Sequence, residues 1–203
     1  IIYLALSVYR DKTMIPLEQI PDDALIEAAL RGEGSAAARL YHRYVDRVHR
    51  ICYRIVLNPS EVKDCVQEVW LKVFQHLDRF QPGKPFGPWL NSITVHTAID
   101  FYRKSSGSQS HAVSLQDPNG APMAEDSPNG AQWLEESHNL DAVLQALQEI
   151  SLTQRTVFIL RFFEDLPPAE IAQMLHCSVN TIRTHIRRSL LALRQILADK
   201  ILR

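Results

Sequence analysis

Six polar side chains crowd one short stretch near the end of the chain: Thr181, Arg183, Thr184, His185, Arg187 and Arg188. Guanidinium forks, hydroxyls and an imidazole are groups that pair with base edges and phosphate oxygens. Between and beyond them Ile182, Ile186, Ser189, Leu190 and Leu193 recur at helical spacing, which predicts an amphipathic helix with a basic outward face. Ser178 stands where that helix starts, with a hydroxyl able to accept from an orphan N–H. From Val179 onward the basic residues are Arg183, Arg187, Arg188, Arg194, Lys200 and Arg203, and the one acid is Asp199. Phosphate contact needs such a local excess, because Lys and Arg displace condensed counterions. A solvated charged face on an ordinary helical hairpin is the plainer account of the same pattern.

The elements that must position this face are legible upstream. A preceding helix follows Leu166, where Pro167 and Pro168 suit a first turn in which a missing N–H costs nothing. Ile171, Met174 and Leu175 share one side of it, Ala172 allows a close crossing, and His176-Cys177 carries the turn. The pair reads as a helix-turn-helix, whose second helix fits a major groove. Two further helices precede it. One is marked by Leu140, Val143, Leu144, Leu147 and Ile150, the other starts at Ser151-Leu152-Thr153 with Val157, Leu160 and Phe163 facing in.

The first half of the chain is patterned differently. Pro21-Asp22-Asp23 opens a short helix that Gly32 and Gly34 close. Ser35 caps a longer one with Leu40, Tyr44, Val48, Ile51, Cys52 and Ile55 on one side and Arg39, Arg43, Arg47, Arg50 and Arg54 on another. Asn58-Pro59-Ser60 breaks it and caps the next, which runs to about Phe80 with Val62, Val66, Val69, Val73 and Leu77 inward. Asp64, Gln67, Glu68, Lys72 and Gln75 point elsewhere, with Trp70, Leu71 and Phe74 at that edge. Apolar groups beside polar ones suggest a docking surface, or the rim of a wide core stripe. The stretch from Gln81 to Pro88, with three prolines and two glycines, predicts a rigid loop. A helix from Trp89 to Lys104 follows, in which Asn91, Ser92, Thr94, His96, Asp100 and Arg103 offer hydrogen-bonding groups. A loop followed by such a helix can hold single-stranded bases by stacking and edge contacts.

Composition bounds the rest. The chain has 203 residues and a net charge of −1, so no global field favours nucleic acid and the basic charge is local. Residues 105–137 carry Asp117, Glu125, Asp126, Glu135 and Glu136 without Lys or Arg, and repeat Pro-Asn-Gly-Ala. Too few apolar side chains offset chain entropy there, which predicts a flexible acidic linker between domains at 14–104 and 138–203. Residues 1–13 precede the first Met and the helical patterning, and are expected to be an upstream or non-native extension. Three irregularly placed cysteines argue against a disulfide framework and suit the cytoplasm. No apolar run is long enough for membrane insertion. His42, His49 and Cys52 lie on one helix at i, i+7 and i+10, but no second ligand pair has metal-site spacing, and no phosphate-binding glycine loop or nucleophile elbow occurs. The expectation is an all-α protein of two small helical domains with no cofactor, no metal and no enzymatic activity.

Three ordered stretches carry a family resemblance. Asp64-Cys65-Val66-Gln67-Glu68-Val69-Trp70 resembles the D-x-V-Q-E-x-[FW] segment of bacterial sigma factors of the extracytoplasmic-function (ECF, group 4) type. Phe80-Gln81-Pro82-Gly83-Lys84-Pro85-Phe86-Gly87-Pro88-Trp89-Leu90 resembles their F-x-P-G-x-P-F-x-x-W-L loop and helix. Ile171-Ala172-Gln173-Met174-Leu175 through Thr181-Ile182-Arg183-Thr184 resembles their region 4 helix-turn-helix. The resemblance implies core RNA polymerase as partner through its clamp and flap, promoter DNA in duplex and single-stranded form, and an anti-sigma factor. It places polymerase contacts on Asp64, Gln67, Glu68, Trp70, Leu71 and Phe74. Contacts to the −10 element fall on Lys84, Phe86, Trp89, Asn91, Ser92, His96, Arg103 and Lys104. Contacts to the −35 element fall on Ser178, Thr181, Arg183, Thr184, His185, Arg187 and Arg188. His176 stands where the family has Gly, Ser92 where it has Arg and His96 where it often has Asn, so the relatives' −10 preference does not carry over. A stand-alone helix-turn-helix regulator, binding duplex DNA without polymerase, is the alternative.

Overall fold

A computed structural model describes residues 20–106 and 140–201, and among these it contains helices and turns but no strand, as an all-α chain requires. The expected extension at 1–13 and nearly all of the expected linker, from 107 to 137, lie outside the described residues. The described residues form two compact units, one of 20–53 with 58–98, the other of 54–57, 99–106 and 140–201.

The first unit is built on α1 (Asp22–Leu30), α2 (Gly34–Val56), α3 (Pro59–Gln75), a 3-10 turn at Leu77–Arg79, and α4 (Phe86–Ser105). Its core takes Leu40, Val48, Ile51 and Cys52 from α2, Val62, Cys65, Val69 and Val73 from α3, and Leu90, Val95 and Ala98 from α4. Asn58 starts α3 as the sequence predicts, its side-chain oxygen accepting from the Ser60 N–H at 3.3 Å. The helix stops at Gln75, short of Phe80, and the chain tightens into the 3-10 turn. Helix α4 begins at Phe86, three residues before the predicted start. Pro88 falls in its first turn, where the N–H it lacks has no intrahelical partner in any case. Cys52 is buried and hydrogen-bonded to Cys65; that bond and burial push its thiol pKa up, so it stays protonated. His42 and His49 are exposed, and among the described residues no three His, Cys, Asp or Glu side chains gather as a metal site needs.

The second unit contains α5 (Leu140–Glu149), α6 (Leu152–Phe162), α7 (Pro168–Met174) and α8 (Val179–Ile201). Helix α8 packs against α5, α6 and α7. Helix α6 has Thr156 to Leu160 buried and packs against α8 and α7, while α8 is the element that touches the other three. Arg155 ties α5 to α6: its Nε donates to the Leu147 carbonyl at 2.8 Å and its Nη2 to that of Gln148 at 3.4 Å, groups that the end of α5 leaves without helical donors. Ser151 accepts from the Gln154 N–H at 3.3 Å and starts α6. That helix ends at Phe162, and Asp165 turns the chain with φ 51°.

Candidate nucleic-acid interface

The turn between α7 and α8 is a helix stop joined to a helix start. The Cys177 N–H donates to the Ala172 carbonyl at 3.0 Å and the His176 N–H to that of Gln173 at 3.4 Å, the two bonds of a Schellman motif. That motif needs a left-handed residue at its apex, and His176 takes φ 53° there. Ser178 then caps α8, its Oγ accepting from the Thr181 N–H at 3.1 Å and lying 2.8 Å from Thr181 Oγ1. Both hydroxyls therefore shape the start of the helix. Ile171, Ala172, Met174 and Leu175 of α7 and Ile182, Ile186, Leu190 and Leu193 of α8 are buried, so the predicted inward stripe is the observed one.

The packing leaves Arg183, Arg187 and Arg188 exposed. Thr184 is half-buried and its Oγ1 donates to the Asn180 carbonyl at 3.0 Å. His185 does not join the outward face: it is 9% exposed and lies in the unit's interior. Asn180 does join it, three and seven residues before Arg183 and Arg187, and sequence reasoning passed over it. Its signal was positional, a carboxamide in the first turn of a groove-fitting helix, where Asn pairs with adenine edges.

In the first unit, residues 81–85, Lys84 among them, are all exposed, between Phe80 and Phe86, which are 6% and 2% exposed. The two rings meet edge to face at 5.6 Å, and Trp89 lies 5.5 Å from each. The loop is thus a short excursion closed by an aromatic stem. Beyond it Trp89, Ser92 and His96 are half-buried, and His96 Nδ1 donates to the Ser92 carbonyl at 2.7 Å, which sets the imidazole's orientation. Asn91 is 1% exposed, and neither atom of its carboxamide has a hydrogen-bond partner among the described residues. At the far end of α4, Arg103 sits 3.7 Å from Asp100 and Lys104 is exposed.

On α3 the predicted docking residues divide. Asp64, Gln67 and Leu71 are exposed, and Glu68 pairs with Lys72 at 3.1 Å. Phe74 is half-buried. Trp70 belongs to the core, 2% exposed, its ring 5.0 Å from Tyr41 and 5.6 Å from Phe74. At this edge Trp70 thus belongs to the wide core stripe, whereas Leu71 is exposed.

Family profiles match both halves: sigma-70 region 2 over residues 40–107 and sigma-70 region 4 over residues 140–193. The chain is 27% identical to the ECF RNA polymerase sigma factor SigW of Bacillus subtilis (strain 168), over 86% of this chain and 95% of that one. It is 30% identical to the ECF RNA polymerase sigma-E factor of Escherichia coli (strain K12), over 85% and 92%. Its fold resembles the sigma factor RpoE from Bartonella quintana, solved with the anti-sigma factor NepR, with a TM-score of 0.59, 19% identity, and 79% and 96% of the two chains covered. The matches fall on the segments that carry the helix-turn-helix and the aromatic-stemmed loop, in the same order, and the chain belongs to the ECF RNA polymerase sigma factors of the sigma-70 family.

Proposed function

We propose that the two units divide the work by which a sigma factor directs core RNA polymerase to promoters and starts transcription there. The exposed side of α3, with Asp64, Gln67, Glu68, Leu71 and the edge of Phe74, docks on the polymerase clamp, and Trp70 stiffens that helix from beneath. The loop 81–85 and the first turns of α4 hold an unpaired base of the non-template strand. Trp89 stacks on it, Lys84 meets phosphate, Ser92 and His96 offer polar edges, and Phe86 and Asn91 form the floor. Arg103 and Lys104 attract the backbone. Melting is favoured because the unpaired strand gains contacts that the duplex lacks. Helix α8 reads the −35 duplex through Asn180, Arg183, Thr184, Arg187 and Arg188, with Ser178 and Thr181 fixing its start and His185 supporting it from inside. Residues 14–104 and 138–203 act as the two domains, the acidic stretch between them as a tether, and the polymerase flap as the second docking point. The protein then works in the cytoplasm, performs no catalytic step of its own, and is held inactive by an anti-sigma factor; the NepR complex of a protein with this fold supports that partner class.

The observation that carries this reading is α8. It is capped, packed through Ile182, Ile186 and Leu190, and presents three arginines to solvent. Purified protein with core polymerase on a randomised promoter library tests it. Transcripts from a two-element promoter are expected, and Gln67→Ala with Glu68→Ala is expected to weaken core binding about fivefold or more. Tight, specific duplex binding without polymerase, and no redirected initiation with it, would favour the stand-alone regulator instead.

A further inference from the structure

The aromatic stem beneath the loop has a neighbour that the base-holding surface does not include. Tyr44, on α2, meets Phe86 edge to face at 5.3 Å, so its ring braces the residue at which the loop ends and α4 begins. Its hydroxyl donates to one oxygen of the Asp22 carboxylate, and Arg43 Nη1 holds the other. The second nitrogen of Arg43 donates to the Ile20 carbonyl at 2.8 Å. Two consecutive residues of α2 thus clamp one carboxylate in the first turn of α1, which also favours negative charge there. The Tyr44 hydroxyl is held protonated, its pKa pushed up by burial and then by the Asp22 carboxylate, so it remains a donor across the working range. A ring tied at its far end loses rotamer freedom, and its edge contact becomes a fixed wall for Phe86. Phe86 in turn touches Phe80 and Trp89.

We infer that Asp22 and Tyr44 are positioning residues for capture of the unpaired −10 strand: the carboxylate aims the tyrosine ring, and the ring sets the stem of the loop and the attitude of Trp89. This rests on the assignment of Trp89 and the loop to that strand. Neither residue touches DNA in this scheme, and α3's docking side is left alone.

The test uses holoenzyme assembled from the full chain and core polymerase. A promoter recovered by the wild-type holoenzyme supplies two probes, its labelled single-stranded non-template −10 segment and its −35 duplex, and labelled core polymerase, for sigma binding, is the third. Tyr44→Phe and Asp22→Asn are expected to weaken the single-strand probe about threefold, and Tyr44→Leu about tenfold, with −35 and core affinities unchanged. Circular dichroism of each variant checks that the helices form. Equal losses on all three probes would mean that the clamp merely holds the fold together, and the inference is overturned. It is also overturned if Tyr44→Leu leaves single-strand binding intact. Trp89→Ala separates the two levels: if it too leaves the single-strand probe unaffected, the base-holding site lies elsewhere and the underlying assignment fails first.

Discussion

Helix α8 and the start of α4 are both proposed to meet DNA, yet they are built in opposite ways. Helix α8 rests on a continuous apolar stripe and pushes Arg183, Arg187 and Arg188 outward. The start of α4 hides much of its chemistry: Phe86 and Asn91 are covered, and Trp89, Ser92 and His96 show only part of themselves. A duplex offers a groove that a convex, charged face enters, so its reader must protrude. An unpaired base must be enclosed and stacked, so its holder needs walls. On the proposed roles, the difference teaches that charge marks one kind of DNA surface and buried aromatic order the other.

The largest expected effect tests the protruding side. Arg187→Ala with Arg188→Ala should weaken holoenzyme binding to the −35 duplex about a hundredfold if both arginines grip base edges. The salt dependence of binding should become shallower by about one unit of slope for each arginine that instead meets a phosphate. Thermal unfolding should barely change, since both residues are exposed. Trp89→Ala is the counterpart: about tenfold weaker capture of the single strand, with the salt slope unchanged, because stacking releases no counterions. A steep salt effect at Trp89, or neither a loss of −35 affinity nor a shallower slope at the arginines, would erase the contrast.

The same contrast explains what the sequence allowed to be read. Helix α8 was legible almost residue by residue, because the 3.6-residue period separated Ile182, Ile186 and Leu190 from the arginines, and Ser178 marked the start. His185 was the exception: its spacing from Arg188 and Thr181 puts it near the face, and only packing against neighbouring helices decides that it turns in. Around α4 the pattern was less informative. Trp89-Leu90-Asn91-Ser92 alternates too little to tell covered from open, and the start of the helix hid behind two prolines that local rules count as breakers. The short-range rule at Pro88 yields to its place in the first turn. Trp70 was ambiguous for a related reason, since an aromatic at the rim of a stripe faces inward only if a partner such as Tyr41 meets it. The clamp of Asp22 on Arg43 and Tyr44 joins separate helices and leaves no mark in either one's periodicity.

Asn91 tests the enclosing side at smaller scale. A buried carboxamide without hydrogen-bond partners costs about 1–3 kcal/mol. Asn91→Leu, of similar volume, should raise the stability of the first unit by about 1 kcal/mol in denaturant unfolding. If the carboxamide is kept for an incoming base edge, the same change should weaken single-strand capture several-fold, stability and function moving in opposite directions. A stabilised variant with unchanged capture would remove Asn91 from the floor of the site and leave the aromatic rings to define it.

The smallest effect concerns how each unit turns its chain before the helix proposed to face DNA. The loop ahead of α4 places Gly83 at φ 79°, whereas the turn ahead of α8 places His176 at φ 53°. A side chain in the left-handed region costs roughly 1 kcal/mol relative to glycine, and glycine's greater freedom in the unfolded chain takes back part of the gain. His176→Gly should therefore stabilise the second unit by about 0.5 kcal/mol, seen as a small rise in its thermal midpoint. Gly83→Ala should destabilise the first unit by about 0.5 kcal/mol on the same balance, with strain as the cause, since beyond its chain neighbours nothing lies within 4 Å of an added Cβ. If His176→Gly leaves −35 affinity within about twofold, the Schellman backbone alone aims α8. A larger loss would mean that the imidazole takes part in presenting the arginines, and the protruding surface would then extend back into the turn.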